Sequence, residues 1–310
     1  MVEVQFNVLS LHAGISEDTI MSFMNDALVN ARNGVIWLSF DEINTCSHIG
    51  LLTDLISRRM FNGNSIHPNI RLFATCNPYR LRTKSQSSAG WGNKVKWYEE
   101  QSKLVYQVKP LPGQILDYVW DYGVLKQDDE FKYIQIMVKK ELKELSHPVF
   151  ADLLLFSQKF IREVEEPYSV SLRDVKRAIT LVKFFYQSLK DRPSYRKGHK
   201  YPPRAENGQA TLIRSYILAL SLCYNSRLYE QDLRKQYRRQ MVDVFHKHNI
   251  FVEKDKFAKV IREEQEDYIN RMQCPPNTAK NEALLENVLV MIVCILTKIP
   301  MFLIGAPGYV

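Results

Sequence analysis

The chain has 310 residues, with 42 Lys and Arg set against 34 Asp and Glu, giving a formal charge of +8 and a pI near 9.1. That length accommodates two domains, or one domain with part of another, and the composition is that of an ordinary soluble protein. The positive charge is interleaved with acids, so no nucleic-acid partner is expected; the denser basic stretches 192–204 and 234–239 read as a linker and a solvated helix face.

After a short extended opening, Ser16-Glu17-Asp18 offers an N-cap with acids in the first turn, and Ile20, Phe23, Met24, Ala27, Leu28 and Ala31 follow at helical spacing. Gly34 closes that helix. The apolar run Val35-Ile36-Trp37-Leu38-Ser39-Phe40 then ends in Asp41-Glu42. Its length and β-branched content predict a fully buried strand, with the two acids where the strand leaves the core. A helix is predicted over 47–61, with Ile49, Leu52, Leu55, Ile56 and Met60 inward, and a second strand over 70–75. Alternating helix and strand predict a parallel sheet covered by helices. The polar stretch 80–101 reads as a loop and 104–108 as a third strand.

Beyond Pro110 strand signals fade. Helices are predicted over 113–122, 129–145, 148–163 and 172–189, the last capped by Ser171, so that a helical lid follows the sheet. Residues 191–209, rich in Pro, Gly, Tyr and Arg, form the expected linker. Further helices follow over 210–224, 230–247, 254–272 and 281–297, then an apolar strand over 299–304 and the words Gly305-Ala306-Pro307-Gly308. The fold class is therefore α/β: a partial parallel sheet with helices, a helical lid, and a mostly α-helical connector.

The five cysteines have no metal-ligand spacing, so neither zinc nor a disulfide framework is expected, and Cys46, Cys76 and Cys294 beside apolar segments suit reduced thiols in the cytoplasm. The start lacks a charged n-region followed by an apolar stretch, so no signal peptide is expected. Lys298 and Pro300 interrupt the most apolar span, 288–304, and no transmembrane segment is expected.

An apolar strand ending in Asp41-Glu42 has the layout of a Walker B strand. Ligands of open α/β sheets bind outside the carboxyl ends of the strands, where a nucleotide hydrolase needs one acid to hold Mg²⁺ through its water shell and another to polarise the attacking water. Asp41 fits the first task and Glu42 the second. The competing reading is an acidic helix N-cap after a buried strand. The second strand ends in Ala74-Thr75-Cys76-Asn77-Pro78, and Asn77 suits a sensor 1 position, a neutral side chain that orients water without repelling phosphate; Asn-Pro is also a common turn starter. In Ser171-Leu172-Arg173-Asp174-Val175-Lys176-Arg177, Arg173 lies in the first turn of a helix and suits a sensor 2 role toward the γ-phosphate. The alternative there is an Arg177–Asp174 ion pair with a solvated Arg173. No Gly-x-x-x-x-Gly-Lys-[Ser/Thr] precedes Asp41; the only partial match is Gly305-Ala306-Pro307-Gly308, where Gly305 and Gly308 suit a phosphate-binding turn that reaches no Lys.

The words Phe40-Asp41-Glu42-Ile43-Asn44-Thr45-Cys46, Cys76-Asn77-Pro78-Tyr79-Arg80, the stretches 104–123, 170–179 and 283–308 together resemble the mysterin family of giant AAA+ RING-finger E3 ubiquitin ligases, which carry a dynein-like row of AAA+ modules. The resemblance implies that 1–112 is a partial AAA+ α/β subdomain with Walker B and sensor 1, 113–190 its helical lid with sensor 2, 191–209 a linker, and 210–310 the connector and first strand of the next module, with a truncated Walker A. It implies ATP and Mg²⁺ as cofactors. The implied partners are adjacent AAA+ modules or a chain supplying the P-loop; ubiquitin machinery enters only through the full-length protein, since no segment here matches the zinc-bearing parts. The expected function is an AAA+ ATPase-family module without turnover as this chain alone. The alternative is a non-catalytic interaction or scaffold module.

Overall fold

The computed structural model describes residues 5–78, 108–165, 167–192, 208–275, 278–279 and 281–302. The chain divides into two compact units, Met1–Gly123 and Val124–Val310, each with its own apolar core.

In the first unit, β1 (Gln5–Ser10), β2 (Ile36–Asp41) and β5 (Ile70–Ala74) form a parallel sheet in the order β1-β2-β5. Helix α1 (Glu17–Asn30) connects the first two strands, and Ser16 caps it by accepting the Thr19 amide at 3.3 Å. The inward residues of α1, Ile20, Met24 and Ala27, are buried with Ile36, Leu38, Phe40 and Ile70 of the sheet. Phe23 meets the edge of the Phe40 ring at 5.7 Å.

The expected two-sided covering of the sheet is not found. Burial alternates along β2: Ile36, Leu38 and Phe40 are buried, whereas Trp37 is 40% exposed. The run has the composition of a doubly buried strand, yet among the described residues only one face is covered. Trp37 instead stacks on Phe73 of the neighbouring strand, with ring centroids 4.9 Å apart.

The helix expected over 47–61 is also shorter. It comprises α2 (Ile49–Thr53) and a wider π-type turn over Asp54–Arg58, after which Met60–Phe61 (β3) and Asn64–Ser65 (β4) form a small antiparallel hairpin. Asn62 and Gly63 both have positive φ, the conformation a tight two-residue hairpin turn requires. Met60, expected inward, is exposed, and Phe61 is buried in its place. The helix expected over 113–122 closes early, as α3 (Gly113–Leu116). The Asp121 carboxylate accepts the Gly123 amide at 2.7 Å, and Gly123 has φ of 66°, so the chain turns away. The expected third strand falls at 104–107 outside the described residues, and Val108 is not in a strand.

The second unit is helical: α4 (Gln127–Leu142), α5 (Pro148–Val164), α6 (Leu172–Asp191), α7 (Gly208–Leu220), α8 (Gln231–Lys247), α9 (Lys256–Arg271) and α10 (Glu282–Thr297). A π-type turn over Ser221–Asn225 extends α7. The stretches expected as lid and connector contribute side chains to one continuous core. Phe150 of α5 stacks on Tyr216 of α7 at 4.4 Å, and the Ser157 and Tyr237 hydroxyls meet at 2.8 Å between α5 and α8. Glu264, fully buried on α9, is paired with Arg192 at the end of α6 and with Arg214 of α7. Residues 299–302 form no strand; Lys298 ends α10 in the left-handed conformation, and 303–310, including Gly305 and Gly308, lie outside the described residues. All five cysteines are unpaired. No helix among the described residues is long and apolar enough to cross a membrane.

Candidate functional site

The parallel register decides what meets at the carboxyl ends of the strands. Phe40 is opposite Ala74, so the next residues, Asp41 and Thr75, come side by side, and Ser10 of β1 lies opposite Asp41. The Thr75 hydroxyl donates to Asp41 Oδ1 at 2.5 Å and accepts the Glu42 amide at 2.9 Å. The Ile43 amide donates to the Thr75 carbonyl at 2.9 Å, extending the strand pairing one step past the sheet.

Glu42 then takes a left-handed conformation, φ 59° and ψ 47°. A non-glycine residue held there costs about 1 to 2 kcal/mol and persists only where its surroundings fix it. Here its amide is held by Thr75, and its carbonyl accepts from both the amide and the hydroxyl of Thr45. The sharp turn brings the Glu42 side chain back toward the second strand, where Asn77 Nδ2 donates to Glu42 Oε1 at 3.2 Å.

Asn77 is itself clamped. The buried Asn44 amide side chain donates to the Asn77 carbonyl at 2.7 Å and accepts the Asn77 amide at 3.2 Å, imitating a strand partner. Asn44 and Thr75 are thus functional neighbours that sequence reasoning missed. The signal for Thr75 was available, since its place two residues before Asn77 pairs it with Asp41 once the strands are parallel. Asn44 offers no comparable signal, because an Asn after a strand is an ordinary turn residue.

Asp41, Glu42 and Asn77 are all half-buried. Both carboxylates are held by neutral donors, a hydroxyl and an amide, so their negative charge is not neutralised within the hydrogen-bonded cluster. Asp41 keeps its second oxygen free of hydrogen bonds among the described residues. Protein sites for Mg²⁺ with nucleotide use one or two carboxylates, several waters and phosphate oxygens, so a single available carboxylate oxygen fits that ion. No cluster of three or more His, Cys, Asp or Glu suited to an all-protein metal site occurs among the described residues.

Arg173 belongs to the second unit, in the first turn of α6. Ser171 and Asp174 form a reciprocal capping box, the Ser171 hydroxyl accepting the Arg173 amide at 3.2 Å and Asp174 accepting the Ser171 amide at 2.8 Å. The turn is anchored from below: Gln158 Nε2 donates to the Ser171 carbonyl at 2.9 Å, and Arg162, bidentate to Glu130, donates to Gln158 Oε1. Arg177 pairs with Asp174 at 3.0 Å, while Arg173 is exposed and its guanidinium has no partner among the described residues. Gly305 and Gly308 lie outside the described residues.

Comparison with known proteins gives this geometry a context. A family model described as the RNF213 AAA domain matches residues 277–309, which include α10. Across 97% of its length the chain is 31% identical to the E3 ubiquitin-protein ligase rnf213-beta of Danio rerio, 29% identical to the E3 ubiquitin-protein ligase RNF213 of Homo sapiens and 30% identical to that of Mus musculus. The chain spans about 6% of the length of each of these relatives.

Proposed function

We propose, from the premise that this chain is an AAA+ segment of the RNF213 type, that the first unit supplies the acidic half of a nucleotide site. The observation that carries this reading is the Asn77–Glu42 contact at the ends of two parallel strands, beside an Asp41 whose charge stays available. Asp41 would hold Mg²⁺ through its water shell, Glu42 would polarise the attacking water, and Asn77 would help orient it. Arg173, exposed at the start of a rigidly capped helix of the second unit, is the sensor 2 candidate by resemblance alone. Bound Mg²⁺ supplies charge neutralisation for the phosphates. Gly305 and Gly308 belong to a phosphate turn of a following module.

These 310 residues contain no phosphate-cradling loop with its Lys ahead of Asp41, and negligible ATP turnover is the expected result for them in isolation. Turnover requires a P-loop that these 310 residues do not carry. The ubiquitin ligase activity in the relatives' names is a property of a full-length protein and has no residues assigned to it here. Titration calorimetry with Mg·ATP tests the site: weak binding lost in Asp41→Ala supports it, and identical heats for wild type and variant reject it. Measurable turnover by the purified chain, abolished by Glu42→Gln, would overturn the requirement for an external P-loop.

A second reading, a scaffold module without nucleotide, is favoured by one observation. The Thr75 and Asn77 contacts also serve as structural ties that hold the left-handed turn at Glu42. Absence of any Mg·ATP binding, together with a loss of stability in Asp41→Ala, would select it.

A further inference from the structure

Thr75 bonds to each of the residues that make the acidic turn. Its amide donates to the Phe40 carbonyl and its carbonyl accepts the Ile43 amide, both at 2.9 Å. Its hydroxyl donates to Asp41 Oδ1 at 2.5 Å and accepts the Glu42 amide at 2.9 Å. Every position from Phe40 to Ile43 is thus tied to a single residue of the neighbouring chain segment.

The hydroxyl has one proton, and its use is dictated. A backbone amide only donates, so Thr75 Oγ1 meets Glu42 with a lone pair and sends its proton to the Asp41 carboxylate. Oδ1 of Asp41 is fixed as the acceptor, and Oδ2 is left without a hydrogen bond among the described residues. The same hydroxyl helps hold Glu42 at φ 59°, the turn from which its side chain reaches Asn77 Nδ2. Ser10 lies opposite Asp41 on the other neighbouring strand and carries the same group, yet among the described residues no hydrogen bond joins its hydroxyl to Asp41.

We infer that Thr75 is a positioning residue that couples the two acids, one hydroxyl orienting the carboxylate that meets a hydrated divalent cation and fixing the backbone that carries Glu42. This rests on the reading of Asp41 and Glu42 as the acidic half of a nucleotide site. What the position requires is a hydroxyl rather than a β-branched shape, because the Thr75 methyl group makes neither bond. A hydrogen bond to an ionised carboxylate is also stronger than one between neutral groups, so its loss is felt first at the cation.

Titration calorimetry of the full chain with Mg·ATP, beside ATP with EDTA, tests this in Thr75→Val and Thr75→Ser. Thr75 is exposed and its backbone bonds survive both substitutions, so both variants keep the wild-type circular dichroism; Thr75→Ala takes the place of Val if that variant does not fold. Val keeps the shape and removes the hydroxyl, whereas Ser keeps the hydroxyl. Affinity for Mg·ATP should fall about tenfold in Thr75→Val and stay within about threefold of wild type in Thr75→Ser, with the EDTA heats alike in all three. Hydrogen exchange at the Glu42 amide, followed without nucleotide, should quicken at least about fivefold in Thr75→Val and not in Thr75→Ser.

Thr75→Val binding as wild type does, where Asp41→Ala has lost binding, overturns this inference and leaves the acidic site standing. So does a loss that Ser fails to recover, since the methyl group would then be its cause, or a Glu42 amide that exchanges at the wild-type rate in Thr75→Val. Identical heats for wild type and Asp41→Ala reject the site itself and the coupling with it.

Discussion

The two units handle carboxylates in opposite ways. At the strand ends of the first, Asp41 and Glu42 are half-buried and held by a hydroxyl and an amide, which fix their geometry and leave their charge. In the second, Glu264 is fully buried and cancelled by two arginines, and Glu130 is gripped bidentately by Arg162. Neutral donors position an acid for work on a cation; guanidinium partners use it as a brace. Under the proposed reading, chemistry belongs to the sheet, while the paired acids of the helices give mechanical support.

All four tryptophans, at positions 37, 91, 97 and 120, precede the boundary at residue 124, so their fluorescence follows the first unit while far-UV circular dichroism is dominated by the helices of the second. The largest expected effect is on a brace. Glu264→Ala leaves Arg192 and Arg214 buried without their shared acid, costing about 3 to 5 kcal/mol in the helical transition, with the fluorescence transition unmoved. Equal shifts in both signals would dissolve the distinction between the units.

Alkaline pH should sharpen it. Burial raises Tyr216, Tyr224 and Tyr237 above the usual tyrosine range, all three in the second unit. Below the unfolded tyrosine value of about 10 both states are protonated and nothing changes; above it the unfolded chain releases protons that the folded one retains. Stability of the second unit therefore falls as pH rises past about 10, by up to about 1.4 kcal/mol per tyrosine per pH unit until each folded value is reached. Among the described residues the core of the first unit contains no tyrosine, and its fluorescence transition should lag behind.

Smaller effects probe the site itself. Asn44→Ala removes both clamps on the Asn77 backbone and should cost about 1 to 3 kcal/mol in the fluorescence transition alone, since the stranded groups are partly buried. Arg173→Ala should change neither melting signal by more than about 0.5 kcal/mol, because the side chain is solvated. A large loss there would mean Arg173 is another brace, and its nucleotide role would fall.

Local signals were read well. Ser16 and Ser171 each cap the helix expected of them, because an N-cap depends on residues within one turn. Periodicity located α5 and α6 to within a residue or two. The hairpin at 60–65 was legible too, in Asn62-Gly63, but an apolar spacing that continued through Met60 masked it. The bare face of β2 was not legible, since Trp37 in an apolar run looks the same whether or not a helix covers it.

The sequence by itself determined the α/β class, the α1–β2 succession, the run of helices beyond residue 124 and the acids at the end of β2, because periodicity, caps and chain punctuation are written within a few residues of one another. Only the tertiary structure decided that Thr75 and Asn44 hold the acids and Asn77 in place and that, among the described residues, Arg177 pairs with Asp174 while Arg173 has no partner and one sheet face is uncovered. Each of those depends on strand register or on packing between segments distant in the chain, and a parallel register brings together residues more than thirty positions apart that no local pattern connects.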